Sequence, residues 1–186
     1  MYIIGVFNTN YLQNNIRYQL NNYDKIEIRR YNHETFTSKY WFWRRGQNKK
    51  KQYTCDGENI SPPLSWNYES YDLKSFAVLC KDNDKHDGQF IHWIIFNIPR
   101  NNRELLTGLT DLKGLPRRTK EAKNSFGKIG YNGPCPPEGE EHRYLFRIYA
   151  LDSMLDLENG VDKDQFLDTI QDHILDKGEL IGVYRR

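Results

Sequence analysis

The hydrophobic pattern is densest at the centre of the chain. Ser75-Phe-Ala-Val-Leu-Cys80 and Phe90-Ile-His-Trp-Ile-Ile-Phe-Asn-Ile98 are apolar at nearly every position. Runs of that length without alternation predict strands covered on both faces. Pro99 closes the second run. A third strand is predicted over His142–Leu151, and a last short one over Glu179-Leu-Ile-Gly-Val-Tyr184. Ahead of the third lies Tyr131-Asn-Gly-Pro-Cys-Pro-Pro-Glu-Gly139, where fixed proline φ values and missing donors forbid regular structure. Residues 100–125 are polar, with Gly108, Gly114 and Pro116, and predict a long surface excursion. One segment has the helical period. Phe166, Ile170 and Ile174, with Leu167 and Leu175 beside them, predict an amphipathic helix near residues 164–177 with Gly178 as its stop.

The first 38 residues differ from the rest. They are rich in Asn and Tyr, and the weak periodicity of Tyr11–Leu20 suits a short helix or a strand equally. They are treated as an extension preceding a single domain over residues 39–186. The stretch Tyr40–Lys51 is aromatic and then basic. It suits an aromatic strand followed by a solvated turn at Gly46, or an interaction patch for phosphates or a membrane surface.

Composition narrows the class. A length of 186 residues suits one domain with a proper core, and 14% aromatic residues lean towards sheet. A formal charge of +2 is too small to make nucleic acid the default partner. No apolar stretch approaches the ~20 residues of a membrane span. The apolar start lacks a basic n-region, so no signal peptide is expected. Cys55, Cys80 and Cys135 are three in number, far apart, and form no C-x-x-C. They argue against a disulfide framework or a thiolate zinc site and favour a reducing interior, which makes a cytoplasmic protein the expectation.

Strand alternation supplies the candidate chemistry. Residues two apart share a face, so His142 projects with Tyr144, and Asp82 with Asp84 if that segment stays extended. His92 lies in an apolar strand, on the face expected to carry Phe90 and Ile94. A polar ring buried there without a partner costs about 1–3 kcal/mol, and Asp82 or Asp84 could supply one. Each residue also has a plainer reading: a satisfied core histidine, or turn-forming aspartates. Arg143 and Arg147 project away from His142 and suit the surface. The spacing of Asp82, Asp84, His92 and His142 matches no standard zinc or calcium motif, so neither metal nor cofactor is expected.

Several motifs then occur in order. They are Tyr53-Thr-Cys-Asp-Gly-Glu-Asn-Ile-Ser-Pro-Pro-Leu-Ser-Trp66, Asp82-x-Asp84, His92-Trp93 with Asn97-Ile98-Pro99, Gly127–Pro137, His142-Arg-Tyr144, and Glu179–Tyr184. Over about residues 40–186 the chain resembles the phosphatidylethanolamine-binding protein family in its bacterial and archaeal form. The resemblance implies an all-β fold, a large antiparallel sheet packed on a smaller one with a few peripheral helices. It also implies a small pocket for phosphate-like anions or phospholipid headgroups. Carried over by position, the pocket residues are Asp82, Asp84, His92, Pro137, His142 and Tyr144, with Cys135–Pro137 as one wall. Where the family usually reads Asp-Pro-Asp-Ala-Pro, this chain has Asp82-Asn83-Asp84-Lys85-His86. That departure implies a looser rim and added positive charge, unless both new side chains simply face solvent.

Two carboxylates at an anion site are reconciled if they orient histidine N–H groups, or if one is protonated on binding. The expected activity is therefore binding, in a regulatory module similar to family modulators of kinases or proteases, and not catalysis. The alternative is a hydrolase acting on phospho- or acyl esters through His and Asp, with Cys135 near His142 as a candidate thiol nucleophile. A third reading makes Trp41–Lys51 an electrostatic contact to a membrane surface.

Overall fold

The computed structural model describes residues 51–85, 89–109 and 114–186, and the backbone of 2–4, 25–26, 37–41 and 48–50. The strands are β1 (Tyr2–Ile4), β2 (Lys25–Ile26), β3 (Thr37–Trp41), β4 (Leu64–Asn67), β5 (Ser75–Asp82), β6 (Phe90–Pro99), β7 (Glu104–Leu105), β8 (Lys120–Glu121), β9 (Glu141–Leu151) and β10 (Ile174–Arg185). Helix α1 spans Lys163–Ile170. Among the described residues the larger sheet runs β1-β10-β9-β5-β6-β8 and the smaller β2-β3-β4-β7, every pairing antiparallel. This is the β-rich, two-sheet architecture that the motifs implied.

β5 is buried on both faces because it has a layer on each side. Phe76, Val78 and Cys80 meet Leu64, Trp66 and Leu105 of the smaller sheet. Ala77 and Leu79 meet Phe166 and Ile170 of α1. Burying one such side chain contributes about 1.5–3 kcal/mol.

Two bulges in β6 decide which residues face which layer. Cys80 pairs with Trp93 but Lys81 with Ile91, so His92 is an extra residue opposite no partner. A second slip between Phe76 and Val78 leaves an extra residue near Asn97, whose φ is 57°. The first bulge corrects the expected face of His92. It stays with Phe90, whose ring it touches, but Ile94 packs on the helix side with Ile91 and Phe96. Strict alternation could not foresee that reversal.

Three further expectations are corrected. The helix does not reach residue 177: α1 ends at Ile170, Gln171–His173 form a 3-10 turn, and Gly178 lies inside β10 opposite Ile148. The apolar period continues through Ile174, but there the chain turns extended to pair with β9 along its whole length. Sheet pairing overrides local helical preference. Residues 100–125 are not merely a surface excursion, for β7 and β8 pair into the two sheets and Leu105, Glu121 and Ala122 are fully buried. Finally, Cys55 and Cys135 form a disulfide with Cα atoms 5.4 Å apart. The pair is 80 residues apart in sequence, so spacing rules did not reveal it. The inference of a reducing compartment rested on unpaired cysteines and loses that premise.

Of the aromatic-basic stretch, Trp41 ends β3 and Lys49–Lys51 enter a 3-10 helix over Asn48–Tyr53. Its turn at Gly46, and most of residues 1–38, lie outside the described residues.

Candidate functional site

At one end of the larger sheet, β5, β6 and β9 bring their polar residues together. Asp82 is paired in register with Tyr144, and His142 follows two residues away on the same face. The Asp82 carboxylate is buried, and each of its oxygens accepts a hydrogen bond. One oxygen accepts from His142 Nδ1 at 2.7 Å, and the other from the Asp84 backbone N–H at 2.9 Å. The other ring nitrogen of His142 meets Glu140 Oε2 at 3.2 Å. Ionised carboxylates only accept, so a ring held between two of them is satisfied as the doubly protonated imidazolium. Burial pulls the His142 pKa down, but the bonds to Asp82 and Glu140 outweigh it and the net shift is upward.

His92 is arranged oppositely. Its Nδ1 lies 2.7 Å from the Asn132 carbonyl, which can only accept, so Nδ1 carries the proton. Burial holds its pKa below the usual histidine value, so the neutral ring has a bare Nε2 as an acceptor. That atom and the Tyr144 hydroxyl are both shielded from solvent and have no hydrogen bond of good geometry, although the hydroxyl lies beside the Asp82 carboxylate and the Cys135 backbone and the His92 ring beside the Gly133 backbone. The two rings meet edge to face at 5.2 Å. Burial first, and the Asp82 charge second, keep the Tyr144 phenol protonated.

The proline-rich loop braces this arrangement. Asn132 N–H donates back to the His92 carbonyl at 3.0 Å, and Asn124 Nδ2 donates to Gly130 O and Asn132 Oδ1. Gly133 N–H donates to Asn59 Oδ1 at 2.7 Å, and a Cβ at Gly133 would collide with the Tyr53 carbonyl. This close approach requires glycine. The Cys55–Cys135 disulfide and a bond from Cys55 N–H to Pro134 O tie the same two segments together. With its sulfur cross-linked, Cys135 offers no thiol to His142, and that candidate nucleophile is removed.

The remaining predicted residues are placed differently. Asp84 turns outward and binds Arg143, whose backbone N–H also reaches it at 2.6 Å. The Arg143 guanidinium holds its carboxyl below the usual range. Pro137 is exposed, and its carbonyl accepts from Glu140 N–H in the turn that delivers Glu140. Lys85 does come to the rim, its Nζ 3.9 Å from the centre of the Phe90 ring. His86 lies outside the described residues.

Sequence reasoning missed three participants. Glu140 was within reach of the alternation that aligned His142 with Tyr144, being two residues earlier. Phe126, whose ring meets those of Phe90 and His92, carried no sequence signal, and Asn132, which sets the His92 tautomer, lay within the Gly127–Pro137 motif without being singled out. Among the described residues, no three His, Cys, Asp or Glu side chains are grouped to hold a metal ion.

Fold and site together define a two-sheet β protein with a small polar site, lined by His and Tyr, at one end of its larger sheet. The family model for phosphatidylethanolamine-binding protein matches residues 42–185, and the chain belongs to that family. A UPF0098 protein of Methanothermobacter thermautotrophicus is 48% identical over 135 residues, 73% of this chain and 89% of that protein. A UPF0098 protein of Aquifex aeolicus is 37% identical over 77% of this chain and 85% of its own length. Among solved structures, a putative phosphatidylethanolamine-binding protein homolog from Chlamydia trachomatis is 38% identical with a TM-score of 0.64. It covers 73% of this chain and 88% of its own. E. coli YbcL, described as a new member of the mammalian PEBP family, is 29% identical with a TM-score of 0.66 over 71% of this chain and 84% of its own. No helix among the described residues is long and apolar enough to cross a membrane.

Proposed function

We propose that this chain is a binding module, not an enzyme, whose site takes a phosphate-like anion, free or as a phospholipid headgroup. The observation that carries this reading is the pair of buried, unmatched atoms, His92 Nε2 and Tyr144 Oη, lying beside the His142 imidazolium. A buried polar group without a partner costs about 1–3 kcal/mol, which a ligand recovers on binding. The Tyr144 hydroxyl donates to an anionic oxygen. His92 Nε2 accepts from a protonated phosphate oxygen, or donates once its own ring is protonated. Lys85 adds positive charge at the rim. Asp82 is engaged with His142 and so acts as an orienting group rather than a repelling one. Family membership supports the ligand class. Docking to a kinase or protease is a further part of the same proposal.

The test is a titration with inorganic phosphate, following the His92 and His142 ring resonances and repeated at about pH 5 to 8. Expected is saturable binding that tightens as pH falls, because the His142 charge is lost at high pH and His92 gains one at low pH. Flat affinity across that range, or shifts that bypass His92, would sink the reading.

A further inference from the structure

Glu140 occupies the ring nitrogen of His142 that faces away from Asp82. Its backbone is pinned on both sides: its N–H donates to Pro137 O at 3.1 Å, and its carbonyl accepts from Arg186 N–H at 3.3 Å. Its side chain is 59% exposed, yet reaches back to His142 Nε2 at 3.2 Å. The opposite nitrogen of that ring is fixed on buried Asp82. Nε2–H is therefore the one donor of the imidazolium not committed to the core, and a flexible, solvent-exposed carboxylate occupies it.

We propose that Glu140 is an internal competitor for the site, a tethered carboxylate that holds the His142 donor until an incoming anion displaces it. This rests on the anion-binding reading above and adds its gate. An exposed ion pair of this kind is weak, because water screens it and ordering the side chain costs entropy. Displacement by rotation of one side chain is correspondingly easy, with the backbone of the turn left in place. The gate discriminates by strength of acceptor. An anionic phosphate oxygen competes with the carboxylate at Nε2–H, whereas a neutral hydroxyl does not. Glu140 thereby selects for anionic over neutral ligands, while Asp82 and Tyr144 set the geometry behind it.

The experiment compares phosphate affinity of the intact chain with that of Glu140→Gln, by the same ring resonances. Glu138→Gln and Glu141→Gln serve as controls for general charge, since both glutamates are exposed neighbours of Glu140 in sequence. The expected result is binding three- to tenfold tighter in Glu140→Gln, with the controls changing by less than twofold. The His142 ring should also lose its proton at lower pH in Glu140→Gln, which a merely structural role would not produce. Equal gains in all three variants, or unchanged affinity in Glu140→Gln with His92 still shifting, would overturn the gate and leave the anion site standing. If phosphate moves neither histidine in any of the proteins, the gate and the anion site both fall.

Discussion

β6 carries two bulges, and each places a polar side chain inside the protein, with opposite outcomes. At one end, Asn97 gives both halves of its amide to one residue: Nδ2 donates to Leu155 O at 2.9 Å, and Leu155 N–H donates to Oδ1 at 2.8 Å. At the other, His92 uses Nδ1 and leaves Nε2 unmatched beside the equally unmatched Tyr144 hydroxyl. Burial and polarity are the same at both ends. The difference is saturation. A saturated buried polar group holds the fold together, whereas an unsaturated one lowers stability and offers a place for a ligand.

The comparison breaks most visibly at Asn97. Asn97→Ala removes two hydrogen bonds, strands the buried N–H and C=O of Leu155, and puts a Cβ-bearing residue without a local hydrogen bond at positive φ. The expected loss of stability is about 2–4 kcal/mol. Urea denaturation measures it, and phosphate affinity of the folded fraction should not change. A loss below about 0.5 kcal/mol would show that saturation at this end contributes little.

The histidine pair gives a second, smaller effect with opposite signs in one site. His142 has a folded pKa above its ordinary 6.5, because Asp82 and Glu140 outweigh burial. Its contribution to stability is fully present below that ordinary value and is lost as pH rises through the folded pKa. His92 has a folded pKa below 6.5, chiefly through burial. Its neutral form is the one the fold accepts, so stability falls as pH drops from 6.5 through the folded value. Denaturation of the intact chain and of His142→Gln and His92→Gln, from about pH 5 to 8, separates the two. The stability difference between the intact chain and His142→Gln should shrink as pH rises. That between the intact chain and His92→Gln should grow. Parallel curves would mean that the two rings are not in different environments.

These contrasts also explain what the sequence could show. The strands of the central platform were legible because apolar runs such as Phe76–Cys80 are a local signal. Most of the candidate site could be proposed from sequence too, for His142 and Tyr144 follow from alternation, and the ordered motifs brought in Asp82 and His92. What escaped depended on contacts between distant segments. The bulge that turns Ile94 away from His92 exists only relative to β5. The Cys55–Cys135 bond joins two loops far apart in the chain. The helical period over Phe166–Ile174 was genuine, but its last turn was claimed by β9. Asp84 matched its motif position, yet Arg143, judged a surface charge, draws it out of the site.

The finest test concerns one oxygen atom. Tyr144→Phe deletes the unmatched hydroxyl and leaves the ring in contact with His92 and behind His142. Were the hydroxyl part of the structural scaffold, as the Asn97 amide is, its removal would destabilise the fold. Since it has no good partner, stability should change by less than about 0.5 kcal/mol, or rise slightly. A hydrogen bond to a charged ligand is worth about 1.5–3 kcal/mol, so phosphate affinity should fall roughly 10- to 100-fold. Thermal unfolding and the phosphate titration on one sample read both quantities. A marked loss of stability with unchanged affinity would place Tyr144 with Asn97 among the structural groups and leave His92 alone at the ligand site.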